Sequence, residues 1–282
     1  MRNEIIGRLI DAALSEDVGD GDHSSLASIP EGSAGSARLI IKAEGILAGI
    51  EIAGFIFRRV DPGIDFTPYI EDGSQIGQGD IGFMVTGKQR ELLKAERLVL
   101  NVMQRMSGIA TETKKYVDAI EGTGAKILDT RKTTPGFRFF EKEAVRLGGG
   151  LNHRMGLYDM IMLKDNHIDF AGGIREAIAK TATYLKSTGR DLKIEIEARS
   201  LADVREIMEV GGVDRIMLDN FSTGDTARAV GMINGRFETE SSGGITLDTI
   251  RGYAECGVDF ISVGALTHHI KSLDMSMKVL KA

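Results

Sequence analysis

Cysteine is almost missing from this 282-residue chain: Cys256 stands alone, which excludes an internal disulfide and any cysteine-built zinc cluster. Long apolar runs are missing too. No uninterrupted hydrophobic stretch approaches the length of about 20 residues needed to cross a bilayer, so no membrane-spanning helix is expected. The first residues, Met1-Arg-Asn-Glu-Ile-Ile-Gly-Arg-Leu-Ile, place charges inside their apolar pattern and predict an amphipathic helix, not a signal peptide. A positive balance is also lacking. The formal net charge is −6, which argues against a nucleic-acid-binding surface. A soluble, cytoplasmic protein without membrane or nucleic-acid partners is the expectation. Prolines number only 4 against 35 glycines, which fits a fold with many tight strand–helix turns. Repeats, low-complexity tracts, a dinucleotide glycine fingerprint and a Walker phosphate loop are all absent.

What is there is a concentration of cations. Between residues 131 and 167, Arg131, Lys132, Arg138, Lys142, Arg146, Arg154 and Lys164 face only Glu141, Glu143, Asp159 and Asp165. The window carries +3, so the rest of the chain carries −9. These cations alternate with Thr, Gly, Asn and His rather than with Glu, and they flank apolar runs. A folded acidic protein that gathers cations in this way is built to bind an anion there.

From about residue 125 onward, strand-like runs recur with helical patterns between most of them. The runs are Lys126-Ile-Leu, Met160-Ile-Met-Leu163, Lys193-Ile-Glu-Ile196, Arg215-Ile-Met-Leu218, Arg236-Phe-Glu-Thr239 and Asp259-Phe-Ile-Ser-Val263. The helical patterns include 174–185 and 201–210. Strand alternating with helix implies a parallel sheet, and this many units without a dinucleotide motif favour a barrel over an open sheet. Each run ends in polar chemistry: Asp129-Thr-Arg-Lys, Lys164-Asp-Asn-His, Glu197, Asp219-Asn220, Glu240-Ser-Ser-Gly-Gly and Gly264-Ala-Leu-Thr-His268. In a parallel barrel those ends share one face, where active sites form. The first hundred residues instead predict a separate α+β domain. It has strands at 37–43, 45–50 and 81–86 and helices near 2–14, 51–60 and 89–119. The segment 270–280 is predicted as a helix that packs back on it.

Two groups of residues carry the chemistry. Glu240-Ser-Ser-Gly-Gly244 and Val263-Gly-Ala-Leu-Thr-His268 form a candidate phosphate cradle, since glycines let backbone N–H groups approach an anion and hydroxyls add donors. Arg131, Lys132, Arg138, His153 and Arg154 suit a carboxylate-bearing substrate, because arginine pairs with planar carboxylates in a bidentate way. Glu197 and Asp219 could meet ribose hydroxyls, a metal or a cationic transition state, or simply pair with neighbouring cations. A zinc site at His153 and His167 is not expected, because the surrounding Arg and Lys would repel the ion. The motif of many phosphoribosyltransferases, paired acids before Gly-Thr-Gly, is absent: Gly122-Thr-Gly124 follows a helix end.

Taken in order, the motifs resemble those of the quinolinate phosphoribosyltransferase family. They are Glu16-Asp-Val-Gly-Asp-Gly-Asp22, Ala95-Glu-Arg97, Ser107-Gly-Ile-Ala-Thr111, Thr130-Arg-Lys-Thr133, Gly148-Gly-Gly-Leu-Asn-His-Arg154, Leu163-Lys-Asp-Asn-His167, Leu218-Asp-Asn-Phe221 and the two cradle loops. The resemblance implies an incomplete seven-stranded parallel α/β barrel with an N-terminal α/β sandwich, divided near residues 1–112 and 113–269, with 270–282 returning to the sandwich. It also implies transfer of phosphoribosyl to quinolinate with decarboxylation, using magnesium. Arg97, Thr130, Arg131, Lys132, Arg138, His153, Arg154 and Lys164 would then line the quinolinate site. Glu197 and Asp219 would meet the ribose and its magnesium, and Ser242, Gly243, Gly264 and His268 the 5′-phosphate. Lys132, Lys164, Glu197 and Asp219 would be the catalytic set. A homodimer or hexamer is implied, with Arg97 entering the neighbouring subunit's site. Glu197-Ala-Arg199 and Asp22-His-Ser-Ser depart from the commoner family patterns. Outside the family, Lys164 at a strand end could serve an aldolase-type lyase as a Schiff-base lysine.

Overall fold

The computed structural model describes residues 2–280. Chain order begins with α1 (Arg2–Val18), α2 (His23–Ser28), β1 (Ala34–Ile41), β2 (Gly45–Ile46), α3 (Ile50–Val60), β3 (Asp65–Pro68), β4 (Gln75–Ile76), β5 (Ile81–Lys88) and α4 (Gln89–Ala119). It continues with β6 (Lys126–Leu128), α5 (Arg138–Leu147), β7 (Ile161–Leu163), α6 (Asp165–Ala171), α7 (Ile174–Thr188), β8 (Ile194–Ala198) and α8 (Leu201–Val210). The last elements are β9 (Arg215–Asp219), α9 (Thr223–Ile233), β10 (Glu238–Ser242), α10 (Ile250–Glu255), β11 (Phe260–Ser262), α11 (Ala265–His268) and β12 (Met275–Val279). Two compact units emerge: residues 1–114, 133–149 and 266–282 form one, and residues 115–132 and 150–265 the other.

The first unit is built on an antiparallel sheet of order β12-β1-β5-β3. Alternation in β1 buries Ala37, Leu39 and Ile41 and exposes Arg38, as a strand with one covered face requires. Phe57, Phe66 and Phe83 close the apolar side, with Phe66 and Phe83 centroids 4.8 Å apart. At Gly108 in α4, a Cβ would lie 2.4 Å from the Lys271 carbonyl oxygen, so only glycine admits that backbone. There the Leu273 N–H donates to the Gln104 carbonyl, and the Gln104 amide to the Met275 carbonyl.

Three sequence expectations change here. The 270–280 segment is not a helix: it contains strand β12, antiparallel to β1. Its apolar residues recur at every second position, with Met275 and Met277 buried and Lys278 exposed, and β1 offers an edge to pair with. The expected strand at 45–50 stops at Ile46, because the Asp72 carboxylate takes the N–H groups of Gly49, Ile50 and Glu51 and starts α3. Residues 133–149, expected in the barrel half of the chain, belong to the first unit and contain α5.

The second unit is a parallel α/β sheet of order β6-β11-β10-β9-β8-β7. A parallel bridge between Leu128 and Leu151 adds a rudimentary seventh strand beside β6. It is an incomplete barrel. All five residues of β8 are buried, as in a sheet covered on both faces. Alternation sends Ile194 and Ile196 to one face and Glu195 and Glu197 to the other. The register sets Glu195 and Glu238 beside Arg215, Glu197 and Glu240 beside Met217, and Ser242 beside Asp219. The interior is therefore charged in layers along the strands. The expected strand 236–239 is displaced to 238–242, so Glu240 lies inside a strand instead of ending one.

Candidate active site

The second unit contains Thr130, Arg131, Lys132, His153, Arg154, Lys164, Glu197, Asp219, Ser242, Gly243 and Gly264 of the residues singled out in the sequence. Arg97, Arg138 and His268 belong to the first unit.

After β6, the buried Asp129 carboxylate accepts the His153 N–H at 2.9 Å and so fixes the segment that carries His153 and Arg154. The Thr130 hydroxyl accepts the Lys132 N–H at 3.1 Å, a local turn that leaves Lys132 exposed. Arg131 is half-buried, and its Nε is enclosed with no acceptor among the described residues. Such a donor costs on the order of 1–3 kcal/mol until an acceptor arrives. Burial, then the charge of Arg131, pushes the Arg154 guanidinium below its ordinary range. Two guanidiniums that repel one another, one with an unfilled donor, are an arrangement that an anion would relieve.

Beneath them is a cluster that the sequence reading did not single out. His153 Nε2 lies 2.9 Å from Glu195 and 3.5 Å from Glu240, both fully buried. Arg215 donates to Glu240 at 2.9 Å and to Glu238 at 3.0 Å, and its guanidinium stacks 4.0 Å above the Phe260 ring. Burial alone would lower the pKa of His153, but the two carboxylates override it and raise it to about 9. Burial and the charge of Glu240 push Glu195 up to about 7. The Arg154 N–H points at His153 Nδ1 at 2.6 Å, which keeps the ring's first proton on Nε2, toward Glu195. Ring and carboxyl thus titrate as one unit that retains an extra proton. His153, Glu195 and Glu240 bring ligand-type atoms within 4.8 Å of one another, yet Arg215 already supplies a positive charge to that cage. The signal for these acids was in the sequence, where Lys193-Ile-Glu-Ile-Glu197 puts Glu195 on the face of Glu197.

A second group of charges stands at the strand ends. Lys164 Nζ pairs with Glu197, whose other oxygen accepts the Asp165 N–H at 2.9 Å. His167 serves as a cap, accepting the Lys164 N–H on Nδ1 at 3.0 Å. Burial and then the charge of Glu197 raise the pKa of Asp219. The Asn220 amide donates to Asp219 at 2.8 Å and holds it. Asn220 has φ +57°, and a Cβ on Gly243 (φ +96°) would lie 2.2 Å from its side-chain oxygen. Glycine is required at 243 by both space and backbone. Asn220 is thus a second site residue that the sequence reading named without assigning it a role. Gly264 is half-buried just beyond β11.

In the first unit, Arg97 is exposed on α4, and His268 is exposed at the end of α11. Arg138 opens α5 and donates to the Thr133 hydroxyl at 2.9 Å.

Comparison with known proteins covers most of the chain. The family models of the N-terminal and C-terminal domains of quinolinate phosphoribosyl transferase match residues 22–107 and 109–278. Quinolinate phosphoribosyltransferase (decarboxylating) 1b of Nicotiana tabacum is 46% identical over 96% of this chain and 81% of its own length. The chloroplastic nicotinate-nucleotide pyrophosphorylase (carboxylating) of Oryza sativa subsp. japonica is also 46% identical, over 96% of this chain and 76% of its own. Among solved structures, NadC from Streptococcus pyogenes has a TM-score of 0.90 at 41% identity, covering 96% of both chains.

Proposed function

Because the chain belongs to the quinolinate phosphoribosyl transferase family, we propose a division of labour among its residues for the family's reaction. The protein transfers phosphoribosyl from phosphoribosyl pyrophosphate to quinolinate with decarboxylation. The products are nicotinate mononucleotide, pyrophosphate and carbon dioxide, a step of NAD biosynthesis. Quinolinate carries two adjacent carboxylates. In this reading they are held by Arg131, Lys132, Arg138, Arg154 and Lys164, with Thr130 shaping the loop and His153, expected among them, instead holding the Arg154 N–H from the interior cluster. The enclosed Nε of Arg131 is the observation that carries it.

Ser242, Gly243, Gly264 and His268 take the 5′-phosphate. Glu197 and Asp219 face the ribose. As the pyridine nitrogen attacks the anomeric carbon and pyrophosphate departs, the sugar gains positive charge that exists only in the transition state, and the two carboxylates stabilise it. The positive pyridinium nitrogen then stabilises the carbanion left at the adjacent ring carbon when its carboxylate leaves as carbon dioxide, and a proton from water takes the place of the carboxylate. The fixed cations orient the ring instead of transferring protons. Lys164 is ion-paired to Glu197, which disfavours the Schiff-base alternative, since that chemistry needs a free amine.

Magnesium is the proposed cofactor. Glu197 and Asp219 supply the hard oxygen donors it prefers, and their mutual repulsion, seen in the raised pKa of Asp219, is what a divalent cation relieves. The chemistry it supplies when bound is neutralisation of the pyrophosphate charge. A homodimer or hexamer with Arg97 reaching the neighbouring subunit's quinolinate is also proposed. Exposed Leu157, Tyr158 and Phe170 support an assembly, since such apolar groups are usually covered. Among the described residues no helix is long and apolar enough to cross a membrane. A cytoplasmic location is proposed on the single cysteine, although the Oryza sativa relative is chloroplastic by name.

Nicotinate mononucleotide release should be at least about a thousandfold more efficient from quinolinate than from nicotinate, because nicotinate leaves half-buried cations, the enclosed Arg131 Nε among them, without a partner. Comparable efficiency on nicotinate would refute the residue assignment. For the shared site, Arg97→Ala and Lys132→Ala homodimers should be nearly inactive, while mixed dimers regain about a quarter of wild-type activity. Heterodimers that form without recovery would remove Arg97 from the neighbour's site.

A further inference from the structure

Arg105, on α4 and eight residues beyond Arg97, belongs to no motif quoted above, yet it bonds three residues from two separate segments. Its Nε donates to the Glu141 carboxylate at 2.8 Å, and its Nη2 lies 2.6 Å from the same oxygen. Nη2 also donates to the Thr134 hydroxyl at 2.8 Å and to the Thr267 carbonyl at 3.2 Å. Glu141 is completely buried, and its second oxygen accepts the Thr134 N–H at 3.1 Å. One guanidinium therefore grips two segments that are far apart in sequence, the loop at Thr134 and the short helix α11 with the loop that follows it.

Both segments border residues assigned above to substrates. Thr134-Pro-Gly-Phe137 is a tight turn, closed by the Phe137 N–H on the Thr134 carbonyl, with Pro135 leading and Gly136 at φ +77°. Lys132 and Thr133 precede it, and Arg138, bonded to the Thr133 hydroxyl, follows it. Thr267 is buried, and His268 is the next residue. A turn fixed by Pro and Gly is rigid in itself but free to pivot, and the Arg105 fork removes that freedom at both segments together.

We propose that Arg105, with Glu141 as its counter-ion, is a positioning residue for both substrates. It ties the loop leading to Arg138 to the backbone beside His268, so that the carboxylate-binding and phosphate-binding groups keep one fixed spacing. The inference rests on the assignment of Arg138 to quinolinate and His268 to the 5′-phosphate. Arg105 touches neither substrate. Its effect is felt in binding geometry, through the backbone.

Arg105→Lys keeps a cation against Glu141 but cannot reach both segments. In steady-state kinetics it should raise KM for quinolinate and for phosphoribosyl pyrophosphate by about tenfold each, with kcat changed by less than about threefold. Hydrogen exchange should quicken at residues 134–137 and at 268–269 together. Thr134→Val, nearly isosteric and outside the ion pair, should raise KM for quinolinate alone. Arg105→Lys with both KM values within about twofold of wild type, or with exchange quickened at only one segment, would overturn the proposal. Arg138→Ala and His268→Ala, measured alongside, separate the two levels. If they leave both KM values unchanged, the site assignment fails. If they raise them while Arg105→Lys does not, only the positioning role fails.

Discussion

Two groups of charges occupy the second unit, and they are made of the same residue types. In the interior, His153, Glu195, Glu240 and Arg215 surround one another, and Phe260 covers the guanidinium. At the strand ends, Lys164 and Glu197 form a single ion pair, Asp219 holds Asn220, and Arg131 has a donor with nothing to bind. The interior group pairs its charges with one another, although both oxygens of Glu195 and one of Glu240 are enclosed without an aligned hydrogen-bond donor among the described residues. The strand-end group keeps the Arg131 Nε without an acceptor, which the proposed substrate carboxylate would supply. Depth along the strand, more than residue type, separates structural charge from functional charge. Burying charges is unfavourable unless they are paired, so the inner group must be closed, whereas the outer one can remain open because water and substrates reach it.

The sharpest way to break this comparison is to open the closed group. Arg215→Met leaves Glu240 and Glu195 buried opposite one cation fewer. Stability should fall by about 3–5 kcal/mol, read from urea unfolding. A loss below about 1 kcal/mol would mean that the interior charges do not depend on one another.

Next in size is the converse change at the strand ends. Glu197→Ala should lower kcat by about 10²–10³-fold, with quinolinate affinity nearly unchanged. Single turnovers with parallel quinolinate titrations distinguish the outcomes. Lost quinolinate binding with an intact chemical step would reverse the roles given to Glu197 and the cations.

Gly243→Ala tests the floor beneath Asp219. The added methyl must displace Asn220 and adopt a left-handed backbone, so about 1–3 kcal/mol of strain is expected. KM for phosphoribosyl pyrophosphate should rise while quinolinate binding persists. Unchanged kinetics would show that the close approach at 243 has no bearing on the site.

The smallest effect expected is on pH. His153 has its pKa raised from 6.5 to about 9, so its pairing stabilises the fold fully below about pH 6.5 and is lost as pH rises through about 9. Glu195, raised from 4.5 to about 7, acts in the same direction at lower pH, because ionising it within the fold is unfavourable. Of the facing groups, and against the effect of burial on each, Glu240 is held below its ordinary value by His153 and Arg215 above its own by Glu195 and Glu240. Denaturant midpoints should therefore decline from pH 6.5 to pH 9, and less steeply in His153→Gln. A rising midpoint would contradict the shared-proton cluster.

Much of the architecture was legible in the sequence. Apolar runs at 126–128, 160–163, 193–196, 215–218 and 259–263 each overlap a strand of the barrel, and α4 covers the predicted span 89–119. Local pattern suffices for these because burial on both faces or on one stripe leaves a direct trace in residue order. Motif order likewise named the family before any coordinate did. The periodicity at 273–279 was present too, but whether an alternating segment becomes a strand depends on an available edge, and β1 supplies it from more than two hundred positions away in the chain.

Tertiary structure decided everything that depends on distance between remote residues. The alternation in Lys193-Ile-Glu-Ile-Glu197 tells which face Glu195 shares with Glu197, but not that one lies in a closed charge cluster and the other at an open rim. A period of two fixes the face of a sheet and says nothing about height within a barrel. Arg105 reads as an ordinary helical arginine because its partners Glu141, Thr134 and Thr267 lie 36, 29 and 162 residues away. Residue order alone specified most of the elements and the family. The fold alone determined which charges close on one another and which stay open, since pairing energy depends on separations in space that local pattern does not encode.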